Sequence, residues 1–352
     1  MKIALLGDTH IGARGDSAAF HDHMQKFYME FFFPYLKENG VNTIIQLGDL
    51  FDRRKYINFM SLHRSRSYLF DQLKEYCIDF HVFPGNHDTF YKSTNEVNSI
   101  NLLLGEYDNI TTYMEPAEVD FDGLKIGMIP WICPENYDRV VEFMNTTSTQ
   151  IILGHFEIAG FEMYRGSVCD HGLSIELFSK FDDVYSGHFH TRSSRGNITY
   201  VGTPYELTWS DWNDTKGFHI LDTETRELTF VENPFKMFHK IHYDDSSNDY
   251  DEVMNKDVHN FKNGIIKVVV HTKNNPYWFD QFISNIEKIG VVDLQIVDDH
   301  LNLDLEDDSD IAEGVEDTLT VLTKYAEQVT GIDTRRLNVF LKNLYHEASN
   351  LE

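Results

Sequence analysis

The chain has few basic residues and no long apolar run. Its 352 residues include 57 acidic against 30 basic side chains, a formal net charge of -27. This balance argues against broad electrostatic capture of a phosphate backbone, so any nucleic-acid contact must be local, metal-assisted or supplied by a partner. The N-terminal run from Ile3 to Leu6 is too short for a signal-peptide core, and no stretch approaches membrane-spanning length. We therefore expect a soluble protein that is not exported.

Cysteine is also scarce. The 3 cysteines are Cys77, Cys133 and Cys169, and no two of them form a C-x-x-C pair. Their spacing indicates neither a disulfide framework nor a thiolate zinc site. A reducing cytoplasm is the simplest setting for such a chain.

Short runs rich in Ile, Val and Leu alternate with longer amphipathic stretches through the first half of the chain, which indicates a layered α/β fold. Asp122-Gly123, between two apolar runs, is typical of a hairpin turn, as is the break between Gly217–Asp222 and Glu227–Val231. The pattern predicts strands at Lys2–Leu6, Thr43–Leu47, Phe80–Phe83, Gln150–Leu153 and Asp183–Ser186, and helices at Ala18–Lys37, Phe59–Tyr76 and Ser93–Leu104.

The second half is predicted to hold smaller units. The catalytic region should end near Pro234, and the Asp-rich stretch Asp244–Asp251 is typical of a loop or linker. A small βαβ-like unit follows, and an acidic run separates it from two helical patterns. We expect domains at residues 1–234, 235–300 and 301–352, with a strand at Ile265–Val270, a helix at Tyr277–Lys288, a strand at Val291–Val297 and terminal helices at Val315–Val329 and Leu337–Ala348.

Each predicted strand of the first half is followed by a glycine and then by side chains that bind metals. Ligands at the carboxyl ends of neighbouring strands converge on one crevice. Glycine lets the backbone turn sharply off the strand and approach the site closely. Any one of these motifs often arises by chance, but all of them together in this order rarely do. The segments are Gly7-Asp8-Thr9-His10, Gly48-Asp49, Gly85-Asn86-His87-Asp88, Gly154-His155 and Gly187-His188-Phe189-His190.

Carboxylate, amide and imidazole ligands together suit Mn, Fe or Zn better than a metal that prefers soft thiolates. Two such ions about 4 Å apart can hold a phosphate and activate water for in-line displacement. A pair of ions requires a shared ligand. Asp49 is the natural bridge, because a carboxylate has two oxygens and its motif lies centrally in the order of ligand segments.

These segments resemble the motifs of the calcineurin-like metallophosphoesterase superfamily. The resemblance implies a four-layer α/β/β/α sandwich. It also implies that one ion is held by Asp8, His10, Asp49 and His190, and the other by Asp49, Asn86, His155 and His188. His87 matches the family's non-ligand histidine, which contacts the phosphate and is placed to protonate the leaving oxygen. Catalytic roles are thus implied for His87 and Asn86.

Within the superfamily, the chain departs from protein phosphatases at Arg54 and Asp88, where those enzymes carry Gly and Glu. It is more similar to the SbcD family of nuclease subunits, and within it to the recombination nucleases of T-even-like phages. Archaeal and eukaryotic relatives carry a further active-site histidine where this chain has Asp52. The stretches that carry this resemblance include Gly154-His155-Phe156-Glu157, Ser186-Gly187-His188-Phe189-His190-Thr191 and Gly202-Thr203-Pro204.

The SbcD resemblance implies a small α/β capping domain after the phosphoesterase domain, and C-terminal helices that bind an SMC-like ATPase. It implies two divalent ions, Mn²⁺ with Mg²⁺ as the alternative, and a homodimer within a heterotetramer. The expected activity is exonuclease on duplex DNA ends and endonuclease on single strands. The rival hypotheses are another phosphoesterase, such as a phosphatase or cyclic-nucleotide phosphodiesterase, and a non-catalytic tethering subunit. The basic stretch Arg53–Arg66 is either a DNA contact or solvated surface.

Overall fold

The computed structural model describes residues 1–164 and 167–298, together with Leu337 and Leu341. Apart from those two leucines, the predicted segment 301–352 and its helical patterns lie outside the described residues. Residues 1–207 and 211–298 form one compact unit. Among the described helices, none combines the length and the apolar composition needed to span a membrane.

Most strands are short, and many begin or end beside a loop that carries a predicted ligand. The described strands are β1 (Lys2–Leu6), β2 (Thr43–Gln46), β3 (Asp79–Val82), β4 (Ile110–Thr112), β5 (Ala117–Phe121), β6 (Leu124–Ile129), β7 (Ile151–His155), β8 (Glu162–Tyr164), β9 (Ser167–Val168), β10 (Asp183–Gly187), β11 (Ser193–Arg195), β12 (Ile198–Tyr200), β13 (Gly217–Asp222), β14 (Leu228–Glu232), β15 (Phe238–Asp244), β16 (Ile265–Thr272) and β17 (Asp293–Asp298).

Helical segments connect these strands. They are α1 (Ala13–Asp16), α2 (Ala18–Lys26), α3 (Phe33–Asn39), α4 (Phe59–Ser65), α5 (Asp71–Glu75), α6 (Ser99–Leu104), α7 (Tyr137–Thr146), α8 (Tyr250–Met254) and α9 (Pro276–Lys288), with π-helical segments at Phe27–Phe32 and Arg66–Phe70 and 3₁₀ turns at Ile175–Phe178, Trp209–Asp211 and His259–Phe261.

Two six-stranded mixed sheets carry the first part of the described chain, in the orders β14-β13-β1-β2-β3-β4 and β11-β12-β10-β7-β6-β5. In the first sheet β1, β2 and β3 are parallel neighbours. In the second sheet β6, β7 and β10 are parallel neighbours. The carboxyl ends of adjacent parallel strands lie at one edge of a sheet, so each sheet presents its ligand-bearing loops together.

The sheets pack face to face, with helices outside each of them. One face of β1 carries Ile3 and Leu5 into a core shared with Ile126 and Leu153 of the second sheet. The opposite face of β1 packs against the helical layer. From Ile3 to Leu6, β1 is buried on both faces and wholly apolar, as expected of a central strand. On the far side of the second sheet, α7 packs in a third core. The order of layers is therefore α/β/β/α, which confirms the predicted α/β sandwich.

Two predicted helices are interrupted by π-helical turns. The predicted helix Ala18–Lys37 is observed as a continuous helical run through α2, a π segment and α3, and the predicted helix Phe59–Tyr76 has the same construction. The rings of Tyr28 and Tyr68, one from each π segment, are stacked with centroids 5.6 Å apart. Because both rings are fully buried, the π turns are part of the packing between these helical runs.

The predicted helix at Ser93–Leu104 is wrong at its start, since α6 begins only at Ser99. The Asn98 side chain accepts a hydrogen bond from the backbone of Asn101 and so caps the helix. Before the cap, residues 93–97 form turns, and the Asn95 side chain donates to the carbonyl of Trp131. These residues therefore line a loop near the ligand edge.

A parallel three-stranded sheet, in the order β15-β16-β17, follows the sandwich in the chain. The predicted βαβ-like unit is observed as β16, α9 and β17. Strand β15, which begins shortly after the predicted boundary at Pro234, was not predicted. Ile266, Val268 and Val270 of β16 pack with Phe279 and Phe282 of α9 in a core of their own. The division into domains at residues 234 and 300 remains a prediction.

Candidate metal centre

The predicted ligands lie in the loops after β1, β2, β3 and β10 and at the last residue of β7, at the carboxyl ends of both sheets. Their backbone is tightly constrained. His10, Asp49 and His188 have left-handed φ values of 43°, 52° and 88°, which non-glycine residues rarely adopt. A side chain on Gly85 would place its Cβ 2.2 Å from Oδ1 of Asp49. The glycines before the ligands are therefore required by the closeness of the loops.

One group of donor atoms is formed by Asp8, His10 and His190. The Nε2 atoms of His10 and His190 are 3.0 Å apart. Oδ2 of Asp8 lies 3.8 Å from Nε2 of His190. Two imidazole nitrogens and a carboxylate that converge on one point form a donor set suited to a divalent cation.

A second group brings together Asn86, His155 and His188. Oδ1 of Asn86 lies 2.9 Å from Nε2 of His155 and 3.0 Å from Nδ1 of His188. His155 is fully buried, and its Nδ1 donates to the carbonyl of Leu47 at 2.8 Å, which leaves Nε2 as the nitrogen that faces the group. This tautomer is the one that a metal ligand requires.

Asp49 lies between the two groups. Its Oδ2 is 3.2 Å from Nε2 of His155 and 3.8 Å from Nε2 of His10. Its Oδ1 accepts a hydrogen bond from the backbone amide of His87 at 2.8 Å. Asp49 therefore lies where a carboxylate shared by two ions would have to lie, and its bridging role remains a prediction.

The charges of the centre are strongly coupled. Burial opposes ionisation of Asp49, but nearby His155 and His87 outweigh it, and the pKa of Asp49 is held well below its usual range. Burial also opposes protonation of His155, yet Asp49 and Asp8 raise the pKa of His155 to about 9. For Asp8, burial dominates and raises the pKa. Buried carboxylates at this density need compensating positive charge, which a divalent cation would supply.

His87 lies beside the centre without joining either group. Its Nδ1 donates to the carbonyl of Asp52 at 2.6 Å, which directs Nε2 elsewhere. The ring centroids of His87 and His10 are 4.9 Å apart. Asp52 itself contacts Nδ1 of His10 at 3.3 Å, so the residue that replaces the relatives' histidine orients a predicted ligand here. All the predicted site residues are thus brought to one edge of the sandwich.

Sequence reasoning missed several residues that hold this centre. The carboxylate of Asp88 accepts hydrogen bonds from the amides of Gly85, Leu50 and Phe51 and so fixes the loops after β2 and β3. In the sequence, only the position of Asp88 in the Asn86-His87-Asp88 motif pointed to a role in the centre. Lys216 is buried, and its Nζ donates to the carbonyl of His190 at 2.9 Å. No local pattern points to this contact, because Lys216 and His190 are 26 positions apart in the chain.

Glu157 and Trp131 support His188 from the side away from Asn86. Oε2 of Glu157 lies 3.3 Å from Nε2 of His188. The Trp131 ring centroid lies 5.4 Å from that of His188. A carboxylate on the distal nitrogen fixes the tautomer and orientation of a metal-binding histidine. Glu157 was noted in the sequence only as part of a family motif.

Much of the basic stretch Arg53–Arg66 pairs with carboxylates of the same chain. Arg53 lies 3.7 Å from Asp16 and also contacts Tyr56. Arg64 pairs with Asp22 and Arg66 with Glu106. These pairs are exposed or partly exposed, and such pairs contribute little to stability. The arginines are already neutralised locally, which favours the solvated-surface interpretation of the stretch.

Comparison with known proteins identifies the family. The family model for calcineurin-like phosphoesterases matches residues 1–326. The chain belongs to this family. Exonuclease subunit 1 of Enterobacteria phage T4 is 35% identical over 353 residues, which cover 99% of this chain and 100% of the relative. A subunit of the nuclease SbcCD from Staphylococcus epidermidis is 24% identical over 82% of this chain and 80% of its own length.

These matches confirm the predicted family and fold class of this phosphoesterase. They also support the predicted function, a nuclease subunit of the metallophosphoesterase type, since both relatives bear the names of nuclease subunits. Among solved structures, an archaeal phosphodiesterase aligns with a TM-score of 0.34 and 13% identity, over 66% of this chain and 100% of its own. A TM-score of 0.34 is too low to support a conclusion about this chain.

Proposed function

We propose that this chain is the nuclease subunit of an SbcCD-like DNA repair and recombination complex, and that it hydrolyses DNA phosphodiester bonds with two Mn²⁺ ions. The observation that carries the proposal is the position of Asp49 Oδ2 between Nε2 of His10 and Nε2 of His155. One carboxylate oxygen facing two donor groups is what a dinuclear phosphoesterase requires. The names of the two relatives direct the proposal to DNA.

The donor groups fit two divalent cations. When bound, such a pair polarises a phosphodiester, activates water and neutralises the charge that develops in the transition state. The residues that would hold one ion are Asp8, His10, Asp49 and His190, and those that would hold the other are Asp49, Asn86, His155 and His188. Oxygen and nitrogen donors support Mn²⁺, with Mg²⁺ as the alternative.

The remaining chemistry falls to Asn86 and His87. The Asn86 amide would steady a non-bridging phosphate oxygen. His87, whose Nδ1 is occupied by the Asp52 carbonyl, would use Nε2 to protonate the departing 3′ oxygen. Burial lowers the pKa of His87, and an anionic phosphate next to its Nε2 would act in the opposite sense.

The remainder of the proposal concerns partners. Residues 235–300 would form a capping domain and residues 301–352 would bind an SMC-like ATPase, within a heterotetramer that contains two nuclease subunits. The net charge of -27 supports an arrangement in which the ATPase makes many of the contacts that bind DNA. The complex would act in the cytoplasm, that of the host cell if the chain is phage-encoded. The expected reactions are exonuclease on duplex ends and endonuclease on single strands.

A nuclease assay on end-labelled DNA tests the proposal. Duplex and single-stranded oligonucleotides are incubated with the chain and Mn²⁺, with and without the ATPase, and a nitrophenyl phosphate monoester and a cyclic nucleotide serve as competing substrates. We expect DNA cleavage that needs Mn²⁺ and that the ATPase stimulates on duplex ends. Turnover of the small esters without DNA cleavage would instead favour a phosphatase or cyclic-nucleotide phosphodiesterase. Absence of all hydrolysis would favour the tethering subunit.

A further inference from the structure

A second cluster of donor side chains lies beside the proposed dinuclear centre and contains none of its predicted ligands. Glu157, Cys169 and His171 each offer one ligand atom, and these atoms lie within 4.8 Å of one another. The mechanism above uses neither Cys169 nor His171. Carboxylate, thiolate and imidazole together form a donor set that differs in kind from the oxygen and nitrogen donors of the centre nearby, because it includes a soft sulfur.

The backbone fixes two of these donors. The Cys169 amide donates to the carbonyl of Phe161 at 2.8 Å, and the Cys169 carbonyl accepts from the amide of Gly160 at 2.8 Å. The Leu173 amide donates to the carbonyl of Glu157 at 2.7 Å, which ties the glutamate to the same loop. Cys169 is buried, with 1% of its surface exposed. The backbone that carries the thiol and the carboxylate is therefore held in place without a cation.

The third donor can adjust to the other two. Nε2 of His171 lies 3.5 Å from Oε1 of Glu157, and its Nδ1 lies 3.8 Å from Sγ of Cys169. The His171 side chain is 62% exposed, so its ring can rotate to present one nitrogen to both neighbours. Tetrahedral zinc bound to N, O and S ligands places those atoms roughly 3.2–3.8 Å apart. The three donor atoms lie within 4.8 Å of one another, so closure of the cluster around an ion requires rotation of the His171 ring and movements of about 1 Å.

We propose that Glu157, Cys169 and His171 form a binding site for one thiophilic divalent cation of the zinc or cadmium class. Coordination would deprotonate the Cys169 thiol and release one proton to solvent. Three protein ligands leave a fourth position open. Asp170 is 97% exposed and its Oδ1 lies 3.0 Å from Nδ1 of His171, so either its carboxylate or a water molecule completes the tetrahedron.

Glu157, a donor of the proposed site, also contacts a predicted ligand of the dinuclear centre. Glu157 directs Oε2 to Nε2 of His188 and Oε1 to Nε2 of His171. The two centres would therefore be linked through one side chain while using different oxygens. The proposal does not depend on the nuclease function, because its test reads a thiolate signal that the oxygen and nitrogen ligands of the other centre do not produce.

Cadmium titration of the metal-stripped full chain tests this site. Cd²⁺ is added stepwise, and the ultraviolet charge-transfer band of a cadmium–thiolate bond is recorded. At saturation we expect the band to reach the intensity of one cadmium–thiolate bond per chain in the wild type and also in Asp49→Asn, whose dinuclear centre is impaired. The band should disappear in Cys169→Ser. It should persist in the matched controls Cys77→Ser and Cys133→Ser, which remove the other thiols of the chain.

His171→Gln provides a second variant at an exposed position, where misfolding is not expected. It should weaken Cd²⁺ binding at least tenfold while the thermal transition of the metal-free protein stays unchanged. Absence of the band in the wild type would overturn the proposal. So would its survival in Cys169→Ser, its loss in Cys77→Ser or Cys133→Ser, or an unchanged affinity in His171→Gln.

Discussion

Oε2 of Glu157 lies 3.3 Å from Nε2 of His188, on the side of the imidazole opposite the atom that faces Asn86. The glutamate therefore decides which nitrogen of His188 carries the proton and which is available to a metal. This arrangement recurs around the centre, where the Leu47 carbonyl does the same for His155 and Asp52 does so for His10. The ligands are thus oriented by partners outside the ligand set.

Glu157→Gln should weaken Mn²⁺ binding by about 10- to 100-fold, because the neutral amide no longer favours the His188 tautomer that leaves Nδ1 free. The affinity is measured by titration of the metal-stripped protein. Glu162→Gln, an exposed glutamate in β8, is the matched control and should bind Mn²⁺ like the wild type. Equal affinity in the Glu157 and Glu162 variants would show that Glu157 does not orient His188.

His87→Gln should keep both Mn²⁺ ions and slow DNA hydrolysis by about 10² to 10⁴, the usual contribution of a positioned general acid. His63→Gln, on the exposed face of α4, controls for the loss of a histidine. The rate with a nitrophenyl ester separates the roles, since a good leaving group needs no proton. If that ester were slowed as severely as DNA, His87 would not act as the acid.

The ligands could be predicted from the sequence because each one follows an apolar strand and a glycine within a few residues. Gly85 shows why the glycine is part of the motif. Asp49 lies directly against Gly85 and leaves no room for a side chain there. The presence of glycine in the motif therefore indicates that two loops approach each other closely. The four-layer α/β/β/α arrangement followed from the family resemblance.

Other features could not be predicted, because strand and helix periodicity do not reveal the side-chain contacts on which they depend. Lys216 is charged and buried only because Asp211 and Asp214 surround it, at 2.6 and 2.9 Å. The π-helical turn at Tyr28 depends on Tyr68 in another helical run. The start of α6 depends on the Asn98 cap, whereas helical periodicity alone had extended the helix to Ser93.

His219 should make the fold less stable in acid. It is buried in β13, and burial, with the nearby Arg192 charge, lowers the pKa of His219 to about 4 from 6.5. In the unfolded chain this histidine is protonated below about pH 6.5, whereas in the folded chain it is protonated only below about pH 4. Stability is present above pH 6.5 and falls as the pH drops through this window, by about 2 kcal/mol at pH 5 for this residue.

Thermal unfolding of the metal-free protein at pH 7.5 and pH 5.0 measures this effect. His219→Phe should lose less stability between the two pH values than the wild type does, whatever its stability at pH 7.5. His259→Gln, at an exposed position, should behave like the wild type. An unchanged difference in His219→Phe would mean that this histidine does not resist protonation in the fold.

The C-terminal helical patterns carry the proposed ATPase contact. Phe340→Asp combined with Leu344→Asp adds two charges to an apolar face that a short helical pair cannot bury alone. Co-purification with the ATPase should be lost, while Mn²⁺-dependent cleavage of short single-stranded DNA persists. Asn338→Asp with Asn343→Asp adds the same charge at polar positions and should leave the complex intact. Retained binding in the first variant would end the docking hypothesis.

The proposed function depends on two ions bridged by Asp49. Electron paramagnetic resonance of the Mn²⁺-loaded chain, together with the bound Mn²⁺ stoichiometry, measures whether the two ions share this ligand. The wild type should bind two ions per chain with the spectrum of an exchange-coupled pair, because a shared carboxylate holds the ions about 4 Å apart. Asp49→Asn should lose the coupling, most of the bound metal and the nuclease activity while retaining its fold. Uncoupled Mn²⁺ in the wild type, or full stoichiometry with wild-type cleavage in Asp49→Asn, would contradict the proposal.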